Sequence, residues 1–222
     1  MRQHILAEGN DLHVVLQVCM KRGLTGLPKG FVSKKDFEQN FAVRSSRGEA
    51  LGKKELLLLL PDALRTPDLQ SLGIILDADK SAASTWQSVV AALQKAGYSN
   101  LPSAPDATGT IITDPNPDLP KVGIWIMPDN DNTGEIEDFF LQLIDNEDSR
   151  LKRARQVIDE LIVENPDFRL DANRSKAETH TWLAWQQEPG KSMGLALKSN
   201  WVSAEHPLAE RFAAWFSSVF EL

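Results

Sequence analysis

LGIILDAD, residues 72–79, runs through five apolar or small residues without alternation and ends in two carboxylates. An uninterrupted run of this kind suits a parallel strand covered by helices on both faces, not a half-solvated antiparallel one. Asp77 and Asp79 close it. Residues two apart on a strand point to the same side, so the pair is expected to address one site together. Like charges held side by side repel, and a cation is the natural partner.

Outward from this strand the chain alternates strand and helix signals. QHILA (3–7) reads as a first strand. Residues 10–22 read as a helix, with Leu12, Val15, Leu16 and Cys19 at helical spacing and Gly23 as the stop. FAVRS (41–45) is a candidate short strand, and 49–60 a helix that contains Gly52. Beyond LGIILDAD, Trp86, Val89, Val90 and Leu93 stripe a helix from about Ser84 to Lys95, with Gly97 as its cap. Residues 99–120 are rich in Pro, Asp and Asn, with TIIT as the one strand-like piece. KVGIWIMP (121–128) is a clear strand. In GEIEDFFLQLI, Ile136, Phe139, Phe140, Leu143 and Ile144 share a helical face. Further helices are expected near 147–163, 174–187 and 207–220.

This alternation predicts an α/β fold, a sheet wrapped by helices on both faces. Residues 1–145 are expected to form that α/β part. Residues 146–222 carry no strand signal and read as a helical extension packed on it, giving one compact unit.

Bulk properties exclude several classes. Hydrophobic residues make up 42% and charged residues 25%, an ordinary globular balance. The net charge of -7 does not advertise nucleic-acid binding, although bound cations can reverse the local sign. With one cysteine, Cys19, there is no internal disulfide framework. The opening MRQHILAEGND turns acidic before any leader-type apolar core forms, and no apolar run is long enough for a bilayer. A cytoplasmic protein without membrane contact is expected.

The acids recur at strand ends. Glu8 follows the first strand, Asp77 and Asp79 end LGIILDAD, and Glu135, Glu137 and Asp138 open the helix after KVGIWIMP. In open α/β sheets the ligand crevice lies beyond the carboxyl ends of the strands. Hard cations such as Mg²⁺ take oxygen ligands, commonly one or two carboxylates with waters and phosphate.

Glu8-Gly9-Asn10-Asp11 and Leu76-Asp77-Ala78-Asp79 together resemble the Toprim domain of topoisomerases, primases and overcoming-lysogenization-defect nucleases. WIMPDN (125–130) and TWLAWQ (181–186) with Pro189 and Gly190 resemble segments of a bacterial Toprim-like family. The resemblance implies a Mg²⁺ or Mn²⁺ site at the carboxyl edge of a four-stranded, mostly parallel sheet flanked by helices. Glu8 would ligate metal or act as general acid/base, and Asp77 and Asp79 would hold metal. A further acid would come from Glu137, with Glu135 second. Asp11 would be an outer ligand or a helix cap. Asp138 could instead complement the helix dipole. Lys176 is the candidate for stabilising charge on the scissile phosphate, with Lys80 and Lys191 as rivals. The function so implied is a metal-dependent phosphoryl-transfer enzyme, a nuclease acting on nucleic acid. The alternative is a regulatory subunit activated by a separate ATPase partner, as in phage defence.

Other motifs read as structural. Asp129-Asn130-Asp131-Asn132 is a polar loop without EF-hand spacing, and RLKRAR (150–155) a solvated helix face. The four histidines form no metal spacing. The tryptophans of the C-terminal third read as core. PGKS (189–192) lacks the upstream glycine of a P-loop. Haloacid-dehalogenase-type phosphatases also carry Asp-x-Asp after a buried strand, but near the N-terminus and followed by Gly-Thr, where this chain has Lys80-Ser81. Tyr98 occupies no nucleophile position, which argues against topoisomerase chemistry.

Overall fold

A computed structural model describes residues 2–8, 12–25, 52–165, 167 and 173–222. The strands are β1 (Arg2–Ala7), β2 (Leu69–Asp77), β3 (Thr110–Ile112) and β4 (Lys121–Met127). The helices are α1 (Leu12–Lys21), α2 (Lys53–Leu64), α3 (Ala82–Ala96), α4 (Ile136–Gln142), α5 (Ser149–Glu164), α6 (Arg174–Ala184), α7 (Met193–Lys198) and α8 (Pro207–Phe220). Among these residues no helix is long and apolar enough to cross a membrane.

The sheet has the order β1-β2-β4-β3. β2 lies at the centre, parallel to β1 on one side and to β4 on the other. β3 runs antiparallel to β4, so the sheet is mixed, with one reversed edge strand. The chain between Ile112 and Lys121 is too short for a parallel crossover, which needs a dozen or more residues.

Both faces of the sheet are covered, as the unbroken apolar strand requires. Leu72, Ile74 and Leu76 of β2 join Val122, Ile124 and Ile126 of β4 against α2 and α3. Ile75, Trp125 and Met127 face the other way, into a core shared with α1, α4 and α8. There Trp125 meets Phe212 edge-on at 5.0 Å and Trp215 at 5.6 Å. The C-terminal helices therefore supply one wall of the sheet's own core. Cys19 and Trp182 are fully buried within it, while Trp185 is half-exposed.

α8 approaches closely because two glycines leave room. Gly73 and Gly123 are partners across β2 and β4. A Cβ on Gly123 would lie 2.1 Å from a Val219 methyl, and one on Gly73 2.9 Å from the Phe220 ring. Together they form a slot that accepts the last turn of the helix.

Local signals placed most boundaries. Ser81 caps α3 by accepting the Ser84 amide, and Gly97 ends it in the left-handed region at φ 106°. Pro207 opens α8 behind His206, whose ring accepts the Leu208 amide. Gly52 sits before α2 and not inside it, so that helix starts later than the expected 49. α7 gave no signal in the sequence, because six residues are too few to display a helical period. FAVRS, 41–45, lies outside the described residues.

Gly123→Ala is expected to lower the melting temperature by roughly 5 °C or more, the scale of overpacking a domain of this size. Adding Val219→Ala should recover part of that loss. Thermal melts followed by circular dichroism would check both.

Candidate functional site

Parallel pairing brings the C-terminal ends of β1, β2 and β4 to one edge. The Glu8 amide continues the ladder by donating to the Ile75 carbonyl at 3.1 Å. Its carboxylate then turns back onto main chain. Oε1 accepts the Lys53 amide at the start of α2 at 3.1 Å, and Oε2 accepts the Asp77 amide at 3.3 Å. A helix N-terminus offers unpaired N–H groups and a positive dipole end, so it attracts a carboxylate.

Asp77 and Asp79 do not share a strand face. β2 ends at Asp77, and Asp79 lies beyond it with φ 51°, in the left-handed region. The alternation expected from LGIILDAD stops one residue too early to apply. Asp77 is consequently buried, with 9% of its surface accessible, whereas Asp79 is exposed. A two-residue bridge brings the third acidic segment in. Asp79 and Gly134 exchange both main-chain hydrogen bonds, each 2.9 Å. This ties the loop after β4 to the end of β2 and delivers Glu135 and Glu137 to the same edge.

The electrostatic result is a crowded carboxylate. Asp77 Oδ1 is buried and has no hydrogen-bond partner among the described residues. Burial, first, and then the charges of Glu8, Glu135, Glu137 and Asp79 push its pKa up to about 8. Glu137 is also buried, at 7% accessible, and its pKa is raised by burial despite its own amide and Lys176.

Two lysines offset part of this charge. Lys53 places its ammonium 2.5 Å from Asp79 Oδ2 and 3.1 Å from Thr85 Oγ1. The Thr85 hydroxyl in turn donates to the Asp77 carbonyl at 3.2 Å. Lys176 is ion-paired to Glu135, and that hydrogen bond, with the charges of Glu135, Glu137 and Asp77, raises its pKa. Asp138 stands apart from the acid cluster. It accepts the Glu135 amide at 2.8 Å and the Ser175 hydroxyl, so it caps α4 as its place in the first turn suggests.

Beside these groups opens a cleft of about 730 Å³, with Lys53, Asp79, Lys80, Glu135, Arg174 and Lys176 among its walls. Of the rival lysines, Lys80 lines it. Lys191 does not: it pairs with Glu188 and lies over the Trp201 ring at 4.7 Å. Asp11, with Gly9 and Asn10, lies outside the described residues.

Sequence reasoning missed Lys53 and Thr85. Lys53 follows Gly52 at a helix start, and first-turn amides are a natural seat for a strand-end acid. That signal says nothing of which acid. It also missed the clamp on α6, where the buried Glu178 receives Arg155 at 2.9 Å and Arg174 at 2.7 Å. Arg155 itself stays partly exposed, as do Arg150, Lys152 and Arg153 of the same run. Asp129 accepts the amides of Asp131 and Asn132, a self-contained polar loop. Tyr98 donates to the Pro120 carbonyl at 2.7 Å and is structural.

Hard oxygen donors around a buried, unpartnered carboxylate oxygen fit a divalent cation in kind. In placement they are not yet a ligand set. Among the described residues no three or more His, Cys, Asp or Glu side chains are set to hold an ion as they stand. Oxygens of Glu8, Asp79 and Glu135 are engaged by the amides and ammonium groups named above, whereas Asp77 Oδ1 is not.

A family model described as protein of unknown function (DUF3226) matches residues 2–221. The chain belongs to the DUF3226 family. No curated protein and no solved structure matches it. The DUF3226 match spans the strand-end acids and the closing helix α8 alike.

Two outcomes are expected of this DUF3226 site. Asp77 holds its proton in the fold at pH values where the unfolded chain has lost it. Its burial therefore carries no penalty below about pH 4, and the penalty grows as pH rises to about 8. Asp77→Asn should accordingly raise the melting temperature, by roughly 5 °C at pH 8 and little at pH 4. Melts across that pH range would show whether the gain grows with pH. Gly134→Ala should weaken the bridge to Asp79, since Gly134 has φ 136° and an added Cβ would lie 2.5 Å from the Asp138 carboxylate. A loss of about 1–3 kcal/mol is expected from the strained backbone alone, measurable by urea unfolding.

Proposed function

We propose that this protein is a Mg²⁺- or Mn²⁺-dependent phosphoryl-transfer enzyme of Toprim type, and that its reaction is hydrolysis of a nucleic-acid phosphodiester. The observation that carries the reading is Asp77: a buried carboxylate with one unpartnered oxygen, crowded by four other acids at the C-terminal edge of parallel strands. Such crowding is unfavourable without a cation, and functional sites are where strongly shifted carboxylates gather. The motif resemblance to Toprim nucleases points the same way.

In this reading Glu8, Asp77, Asp79 and Glu137 hold the ion. Held there, a divalent ion would supply activation of water and neutralisation of charge developing on a phosphoryl group. The chain's own groups do the rest. Asp77 supplies its free oxygen from a fixed, buried position. Glu8 is oriented by two amides. Lys176, on the wall of the cleft, offers a cation to the phosphate oxygens. The hydroxyl-bearing side chains of Ser81 and Ser84 also line the cleft.

A second reading has one observation in its favour. Among the described residues Glu8 rests on amides and Asp79 and Glu135 on lysines, which suits a subunit that becomes active only when a partner, such as a separate ATPase, rearranges the edge.

Purified protein with Mn²⁺ should nick supercoiled plasmid or cleave single-stranded DNA or RNA. Asp77→Ala should reduce the rate at least about 100-fold and Lys176→Ala about 10- to 100-fold, the range for losing an electrostatic contact to the transition state. Activity that survives Asp77→Ala would sink this site as its source, and absence of activity on every substrate while Mn²⁺ is bound would sink the enzyme reading and favour the partner-activated one.

A further inference from the structure

Lys53 occupies a place that neither the motifs nor the family match assigns. It grips two acids by two different parts of itself. Its amide, the first of α2, holds Glu8 after β1, and its ammonium holds Asp79 after β2. The side chain reaches inward, keeping 19% of its surface accessible, and a second contact to Thr85 fixes its end. Thr85 is itself tied to the main chain of Asp77. The ammonium is thus seated on an acid of the cluster, on an oxygen that a divalent ion would need.

We infer that Lys53 is a built-in counter-ion that a divalent cation must displace from Asp79, so that this residue sets the metal affinity of the site. The inference rests on the divalent-cation reading given above. The two grips are separable. Any residue other than proline at position 53 keeps an amide for Glu8, whereas only a cationic side chain competes for Asp79. Removing the charge therefore leaves the Glu8 contact in place and frees the Asp79 carboxylate. Lys53 is a positioning residue in this account, because it acts on the acids and not on the reacting atoms.

Mn²⁺ titrations of the full chain by calorimetry test it. Lys53→Met should bind Mn²⁺ more tightly than the wild type, by roughly fivefold, the worth of one partly exposed ion pair. Lys53→Arg, which keeps the charge, should bind as the wild type does. Binding by Lys53→Met alone, with none by the wild type, would also support the inference. Equal or weaker binding by a folded Lys53→Met protein, when the wild type binds and Asp77→Asn does not, would overturn it while leaving the metal reading intact. Absence of binding by both folded proteins would remove the metal reading and the inference together. If Lys53→Met fails to fold, a wild-type crystal soaked in Mn²⁺ decides. An anomalous peak beside Asp77 with the Lys53 ammonium off Asp79 supports the inference, and the same peak with the ammonium still on Asp79 overturns it.

Discussion

Parallel pairing of β2 between β1 and β4 is the constraint on which the site depends. Because all three strands point the same way, the residues that follow them arrive at one edge, and those residues are acids. Glu8, Asp77 and the Glu135–Glu137 segment are far apart in the chain and would repel if brought together in water. The sheet register and the Asp79–Gly134 bridge bring them together nonetheless. The energy for this comes from the apolar faces of the same strands, which are buried on both sides.

That arrangement explains the division of labour around the edge. Amides at the start of α2 and at Asp77 fix Glu8, so one acid is held by dipoles. Lysine side chains meet Asp79 and Glu135, so two are held by charges. Asp77 Oδ1 has neither kind of partner among the described residues and is buried. Removing it from water while leaving it unpaired is what lifts its pKa so far. The compensation is local and incomplete, and its incomplete part lies where a hard cation would contribute most.

The C-terminal helices matter to this site from a distance. α8 seats its last turn in the slot left by Gly73 and Gly123, and its aromatic residues close the core under Trp125. α6 carries Ser175 and Lys176 to the cleft and is anchored by Glu178 between two arginines. Chain beyond 146 thus supplies cleft wall and, together with α1 and α4, the cover of one face of the sheet.

Much was legible in the sequence. The unbroken apolar run of LGIILDAD required helices on both faces, because a strand without alternation has no side to give to water. Periodicity marked the helix from about Ser84 to Lys95, and the acids after three strands marked the edge, because strand ends in such sheets share a side. The antiparallel β3, the short α7 and the role of Lys53 were not legible: they depend on loop length, on too few residues to show a period, and on a contact between distant segments. The sequence by itself determined that carboxylates would gather at one end of an apolar sheet. Only the tertiary structure decided that Asp77 is buried while Asp79 is exposed. The strand stops between them, and where it stops is set by hydrogen bonds to β4 and Gly134, which no local pattern encodes.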